Sequence, residues 1–397
     1  MPHQRRTPTE TGDSVNFELP PELRQLRQAV REYARAELAP GAAERDAAGR
    51  FPRAELEGLA GLGLLGITTP TGHGGSGMGL LTSVTALEEI AAADASVATL
   101  TAVTNGFPQG SLVHWGSEWQ RSDWLPRLAS GDWIGAFCLS EPHCGSDAAA
   151  IRTRARKTRD GWVLNGEKAW ITAGRDADFY LVLASTEPEA GARGISCFGV
   201  PAGTDGLLPG KAEQKLGQAA AVTSNVVFED CFVPDSHLVG EPGEGFVIAM
   251  SQLDAGRINI GAQAVGIARA AFDAAVRWAS EREAFGRQIR EFQGTGFKLA
   301  DMAVSLEAAR LLTQRAAWLA EQGERVTREA AMAKLHASEA AGFITDAALQ
   351  VFGGYGYSKE YPVERWWRDA RVTRIYEGTS EIQRVVISRQ LHRERGR

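Results

Sequence analysis

The sequence predicts an α+β fold that is mainly α, in three successive parts: a helical N-terminal domain, a central antiparallel β domain and a helical C-terminal domain. Three observations predict it. Apolar residues recur at helical spacing from Pro20 to about Ser130; short alternating runs with turn dipeptides take over near Asp132; long helical patterns return after "GEPGEG". The implied division is a tail over 1–19, helical 20–131, β 132–240 and helical 241–397.

The opening "MPHQRRTPTETGDSVN" lacks the apolar core of a signal peptide, and its Glu10 and Asp13 argue against a transit peptide, so a disordered tail is expected. In "PPELRQLRQAVREYARAELAP", Leu23, Leu26, Val30, Tyr33 and Leu38 fall near one stripe of a helix. "LLTSVTALEEIAAADASVATLTAVT" reads as a second, Ala-rich helical stretch. In the middle block, Asp160-Gly161 and Asn165-Gly166 stand at hairpin-like positions, followed by the strand runs "DFYLVLAS", "ISCFGVP" and "SNVVFEDCFVP". "INIGAQAVGIARAAFDAAVRWASEREAFG" and "FKLADMAVSLEAARLLTQRAAWLAEQ" are the long helices that close the chain, with no internal repeat.

Composition excludes several classes. At 397 residues, 44% hydrophobic and 23% charged, the chain can bury a large core, and a net charge of -6 gives no reason to expect a nucleic-acid partner. Apolar runs are too short for a membrane span, so no membrane partner is expected. Cys138, Cys144, Cys197 and Cys231 form neither a CxxC nor a disulfide framework, which points to no metal site and to a reducing, cytoplasmic home.

Single motifs leave function open. "GLGLLG" (Gly61–Gly66) matches a dinucleotide fingerprint but reads as a helix running into its glycine-rich end, and "GHGGSGMG" lacks a phosphate-loop ending and reads as a flexible connection. "FCLSEPHCGSD" joins a strand to a Gly-Ser turn whose N–H groups and Ser140 and Ser146 hydroxyls suit a phosphate or a flavin edge, or merely a turn. Adjacent His143 and Cys144 need not form a base–thiol pair. Trp170 in "EKAWITAG" reads as a core aromatic, the usual fate of a strand tryptophan. Glu377 lies in "YEGTSEIQRVVISRQL", where Ser380 and Gln383 have capping-box spacing and Ile382, Val385, Val386 and Leu391 give one apolar face. It is either a solvated turn carboxylate or one aimed over a reactive atom.

In order and spacing, "SEPHCGSD", "GEKAWIT", "LDAGR", "REAFGRQI", "LQVFGGYGY" and "YEGTSEIQR" resemble the acyl-CoA dehydrogenase family from about residue 20 to the end. The resemblance implies a C-terminal four-helix-bundle domain and bound FAD. By matching positions, Phe137, Leu139, Ser140, Gly145 and Ser146 should line the flavin and pyrophosphate, with Trp170, Ile171 and Thr172 over its other side. Arg282, Phe285 and Gln293 of one subunit, with Gln350, Gly353 and Gly354 of a neighbour, should hold the adenosine half, which makes a homotetramer the expected assembly. Thr379 and Glu381 should also touch the cofactor, and Ser146, Asp254, Arg257, Tyr376 and Gly378 the substrate.

Glu377 falls on the family's catalytic base, which removes a proton alpha to a thioester carbonyl while hydride leaves the beta carbon for flavin N5. The carbonyl would be polarised by the Glu377 N–H and a ribityl hydroxyl. Relatives of the isovaleryl and long-chain types carry the base on the residue before the arginine of "LDAGR", here Gly256, so Glu377 is the sole candidate. Burial should raise its pKa and the nearby helix N-terminus should lower it. The expected substrate is a short or branched saturated acyl thioester on CoA or on an acyl carrier protein, with an electron-transfer flavoprotein as acceptor; a catalytically silent scaffold is the contrasting reading. His143 and Cys144 replace the usual small residues, "TPTGHGGSG" replaces a more typical Pro-Glu-Glu-Tyr-Gly-Gly, and Ala98 stands where a glutaryl-type enzyme has arginine, which disfavours a dicarboxylic acyl group.

Overall fold

The computed structural model describes residues 18–395. The N-terminal helices are α1 (Pro21–Tyr33), α2 (Ala42–Ala48), α3 (Arg53–Gly61), α4 (Leu80–Ala93), α5 (Ala95–Thr104), α6 (Gly110–Trp115) and α7 (Glu118–Ala129). Proline at its first position starts α1, and of the expected stripe Val30 and Leu38 are fully buried, joined by Ala34. The Ala-rich stretch is two helices, because the Asp94 carboxylate accepts the N–H groups of Ser96 and Val97 and caps a new start. Every residue of α5 is buried, its serine and threonines included. The glycine-rich connection is tied down rather than flexible: the N–H groups of Ser76, Gly77 and Met78 bond the carbonyls of Gly66, Thr69 and Ile67. Gly61 ends α3, so "GLGLLG" is a helix terminus, as its context indicated.

The middle sheet contains β1 (Gly135–Cys138), β2 (Arg154–Lys157), β3 (Gly161–Thr172), β4 (Phe179–Ser185), β5 (Ile195–Pro201), β6 (Leu207–Ala212), β7 (Thr223–Pro234) and β8 (Leu238–Val239). The strand order is β6-β7-β3-β2-β4-β5-β8, with β1 also on β4. It departs from pure antiparallel pairing, since β1 and β2 both run parallel to β4. The reason is the long loop between β1 and β2, which brings both strands to β4 in one direction. Asp160-Gly161 does turn β2 into β3. Asn165-Gly166 instead forms a bulge inside β3, where the register against β7 shifts and the Asn165 side chain bonds Asp230.

The C-terminal part is α8 (Gly245–Glu281), a short hairpin of β9 (Glu283–Ala284) and β10 (Arg287–Gln288), then α9 (Gln293–Glu321), α10 (Thr327–Phe352), α11 (Val363–Arg371) and α12 (Ser380–Arg395). Helices α8, α9 and α10 pack together, α12 lies on α10, and α4 of the first domain packs on α8. Buried Glu88 and Glu89 of α4 fasten that contact: Arg269 of α8 pairs with both at 3.1 and 2.6 Å, Arg310 of α9 with Glu88 at 3.0 Å, and Arg31 of α1 with Glu89 at 2.8 Å. The site forms where α5, the β1–β2 loop, the end of β3, the loop before β7, α8 and the turn before α12 converge.

Candidate active site

A cleft of about 880 Å³ opens at that convergence, lined by Phe137, Leu139, Ser140, Gly145, Ser146, Trp170, Ile171, Thr172, Arg257, Tyr376, Glu377, Gly378 and Thr379 among others. Glu377 and Gly378 both adopt left-handed backbone, φ 52° and 88°, which throws the Glu377 side chain inward from the turn. Its Oε2 is buried and accepts no hydrogen bond among the described residues. Burial pushes its pKa up to about 7, against the opposing charges of Lys334 and Arg257. Desolvation therefore outweighs these two cations, and with Oε2 buried the solvated-turn reading fails. A Cβ at Gly256 would lie 2.4 Å from Glu377 Oε2, so the glycine is what leaves the carboxylate its space.

The turn is held from behind. Lys334 Nζ donates to the Gly378 carbonyl at 2.7 Å, and Gln383 Nε2 donates to the same oxygen at 2.8 Å and to Glu377 O at 3.2 Å. Gln383 thus points backwards, Ser380 donates to Glu339, and the N-cap is Thr379, whose hydroxyl accepts the Ile382 N–H. The expected Ser380–Gln383 capping box does not form, because the turn carbonyls and Glu339 take its side chains. The apolar residues of α12 divide as well: Ile382, Val385 and Val386 line the cleft, while Leu391 is half-exposed.

A polar chain runs along the inner wall. Tyr376 OH donates to Gln263 Oε1, Gln263 Nε2 to the Thr99 hydroxyl, and Thr99 to Gln218 Oε1, each at 2.5 Å. Gln218, with φ 49°, is fixed by its N–H and side-chain bonds to Asp369, whose pKa burial pushes up to about 7. Arg257 is buried, pairs with Asp254 at 2.7 Å and finds no partner for its Nε among the described residues, while Asp254 also accepts from Thr327.

On the opposite wall, buried Glu141 anchors the loop of residues 137–146 to β3 through Lys168 Nζ at 2.8 Å, and it also accepts the N–H groups of Arg152 and Thr153. Phe137 stacks on Phe107 with ring centroids 4.2 Å apart. Trp170, at φ 60°, is 64% exposed, so the core reading fails. Glu141, His143 and Cys144 bring ligand atoms within 4.8 Å of one another, but Lys168 already pairs with Glu141, and burial raises the Cys144 pKa.

Arg282, Phe285, Gln293, Gln350, Gly353, Gly354 and Glu381 lie outside the cleft lining, as does Asp254. Arg282 sits 5.5 Å over the Tyr355 ring, so the two segments expected on different subunits already meet within one chain. Phe285 is 95% exposed at φ 51°. Sequence reasoning missed Lys334, Gln383, Gln263, Thr99 and Gln218. The available signal was a lone polar residue in an apolar run, Lys334 in "AAMAKL" and Gln263 in "IGAQAVGI".

The three-part helix–sheet–helix chain, with a carboxylate unpaired at Oε2 among the described residues over its cleft, belongs to a class of oxidoreductase: residues 20–132, 136–231 and 243–392 match the N-terminal, middle and C-terminal domains of acyl-CoA dehydrogenase. The chain belongs to the acyl-CoA dehydrogenase family of flavoproteins. It is similar to the mitochondrial short-chain specific acyl-CoA dehydrogenase of Mus musculus, 50% identical over 95% of this chain and 92% of that one. Among solved structures it resembles butyryl-CoA dehydrogenase from Megasphaera elsdenii, with 41% identity, a TM-score of 0.93 and coverage of 95% and 100%. It also resembles the prolyl acyl carrier protein oxidase AnaB, with 31% identity, a TM-score of 0.91 and coverage of 94% and 100%.

Proposed function

We propose that this chain binds FAD in the cleft and converts a short saturated acyl-CoA to the 2-enoyl thioester, with Glu377 as the base. The observation that carries the reading is the Glu377 carboxylate: buried, unpaired at Oε2 and facing the Cβ-less Gly256. The cleft suits the cofactor, because Trp170 presents an exposed ring on its wall and Ser140 and Ser146 line the loop opposite. FAD, when bound, supplies the acceptor for the beta hydride. Glu377 takes the alpha proton at its carboxylate, and its N–H, which makes no hydrogen bond among the described residues, is free to polarise the thioester oxygen. A lengthening acyl chain would meet Thr99, Gln218 and Tyr376, which are bonded into a polar chain; this supports a short substrate.

The similarity to AnaB supports a second reading, in which the same chemistry acts on a carrier-bound acyl or aminoacyl group. An electron-transfer flavoprotein as acceptor rests on family membership. A reducing, cytoplasmic location rests on four buried free thiols. Assembly into a tetramer that completes the cofactor site draws support from exposed Phe285 and Tyr357 beside the Arg282 segment. Anaerobic titration of the FAD-loaded protein with butyryl-CoA and with carrier-bound thioesters tests the assignment. Bleaching of the flavin by butyryl-CoA is expected; bleaching by the carrier-bound form alone would replace CoA with the carrier, and bleaching by neither would end the enzymatic reading.

A further inference from the structure

Lys334 is the charged group that the catalytic assignment leaves unexplained. It projects from α10 with no solvent exposure, and its one hydrogen bond among the described residues goes to the Gly378 carbonyl, in the residue after the base. Burying an ammonium is costly unless an opposite charge or a strong acceptor is near. The groups acting on it are Glu377 in the turn, Glu339 on its own helix and Glu381 on α12, with Arg257 of α8 opposing them. Glu339 is engaged by Ser380 and Arg374, Arg257 by Asp254, and Glu381 is exposed on α12. Glu377 is left as the buried carboxylate that has no hydrogen-bond donor at Oε2.

We propose that Lys334 is a positioning residue for the base: its ammonium holds the Gly378 carbonyl, fixing two consecutive left-handed residues, and adds to that of Arg257 the buried positive charge that keeps Glu377 ionisable. Gln383 shares the first task, since it donates to the same carbonyl, but carries no charge and so cannot share the second. This rests on Glu377 being the base. Burial presses the two groups toward neutrality from opposite sides, raising Glu377 to about 7 and lowering Lys334 to about 8.

The division of labour between Lys334 and Gln383 makes the role measurable. Anaerobic flavin reduction by butyryl-CoA is followed against pH in the FAD-loaded wild type, Lys334→Met, Lys334→Gln and Gln383→Leu. Both neutral Lys334 variants are expected to reduce flavin at least about tenfold more slowly at pH 6–7, with the rise in rate displaced upward by at least about one pH unit, so that much of the loss is recovered at high pH. Gln383→Leu is expected to be slowed by the same factor at every pH, its profile unmoved. A Lys334 profile superposable on the wild type, a loss equal at all pH values, or failure of both neutral variants to retain FAD would overturn the proposal. If Glu377→Gln bleaches normally, the base assignment itself fails; if it is slow while Lys334→Met matches wild type, only the role of Lys334 is lost.

Discussion

At the scale of the residue, Glu377 trades hydration for basicity. A carboxylate free in water has a pKa near 4.5 and holds a proton weakly; with burial raising this one to about 7, the same group is matched to abstracting a proton near neutrality. Its ionised fraction grows as pH rises through that value, so flavin reduction should increase with pH up to about 7 and level above it, as stopped-flow rates would register. Glu377→Gln preserves the shape of the turn and should still bind FAD and acyl-CoA, while reduction slows at least about 10²-fold; normal bleaching would strip Glu377 of the role. The position of this carboxylate in the cleft was legible in the sequence because "YEGTS" is a local motif. Its environment was legible only in part: Gln383 belongs to the same stretch, but Lys334 and Gly256 come from two others that only the packing of α8, α10 and α12 brings together.

Elements show the same contrast between local and non-local information. Helical periods and the Asp160-Gly161 turn were readable because a few neighbouring residues determine them. The Asn165-Gly166 bulge was misleading: the dipeptide favours a hairpin in isolation, yet pairing of β3 with β7 carries the strand straight through it. The capping box failed similarly, since Glu339 and the turn carbonyls compete for Ser380 and Gln383. The segment from Arg282 to Gln293 is the element whose function is least explained by its own fold, with Phe285 left almost wholly in solvent. If it serves the adenosine half of FAD, Arg282→Ala should weaken FAD retention while leaving the affinity of the FAD-saturated protein for acyl-CoA close to wild type; equilibrium dialysis of FAD would show this, and unchanged retention would remove the assignment.

Across the whole molecule, apolar surface is distributed unevenly. Phe297, Val304 and Trp318 of α9 are 63, 71 and 51% exposed, and α10 and α12 together form a hollow lined by Leu335, Ile387 and Leu391. A lone chain rarely tolerates so many large apolar groups on neighbouring helices, which accords with further subunits covering them. Sedimentation at low micromolar concentration should therefore give a tetramer, or at least a dimer, and a folded monomer keeping one FAD per chain would contradict it. The three-part architecture was legible because composition changes sharply at its borders; the contacts across those borders were not, being made by residues far apart in the chain.

The Glu88–Glu89 cluster sets a limit on how this molecule can come apart. Two carboxylates with three arginines from α1, α8 and α9 span the border between the first and last parts of the chain. Withdrawing one partner from such a buried set leaves charge stranded at a cost of about 3–5 kcal/mol. The outer helical parts are thus riveted into one mechanical body although the β domain separates them along the chain. Excising either at its sequence boundary would yield a fragment with unpaired charges in place of a finished surface.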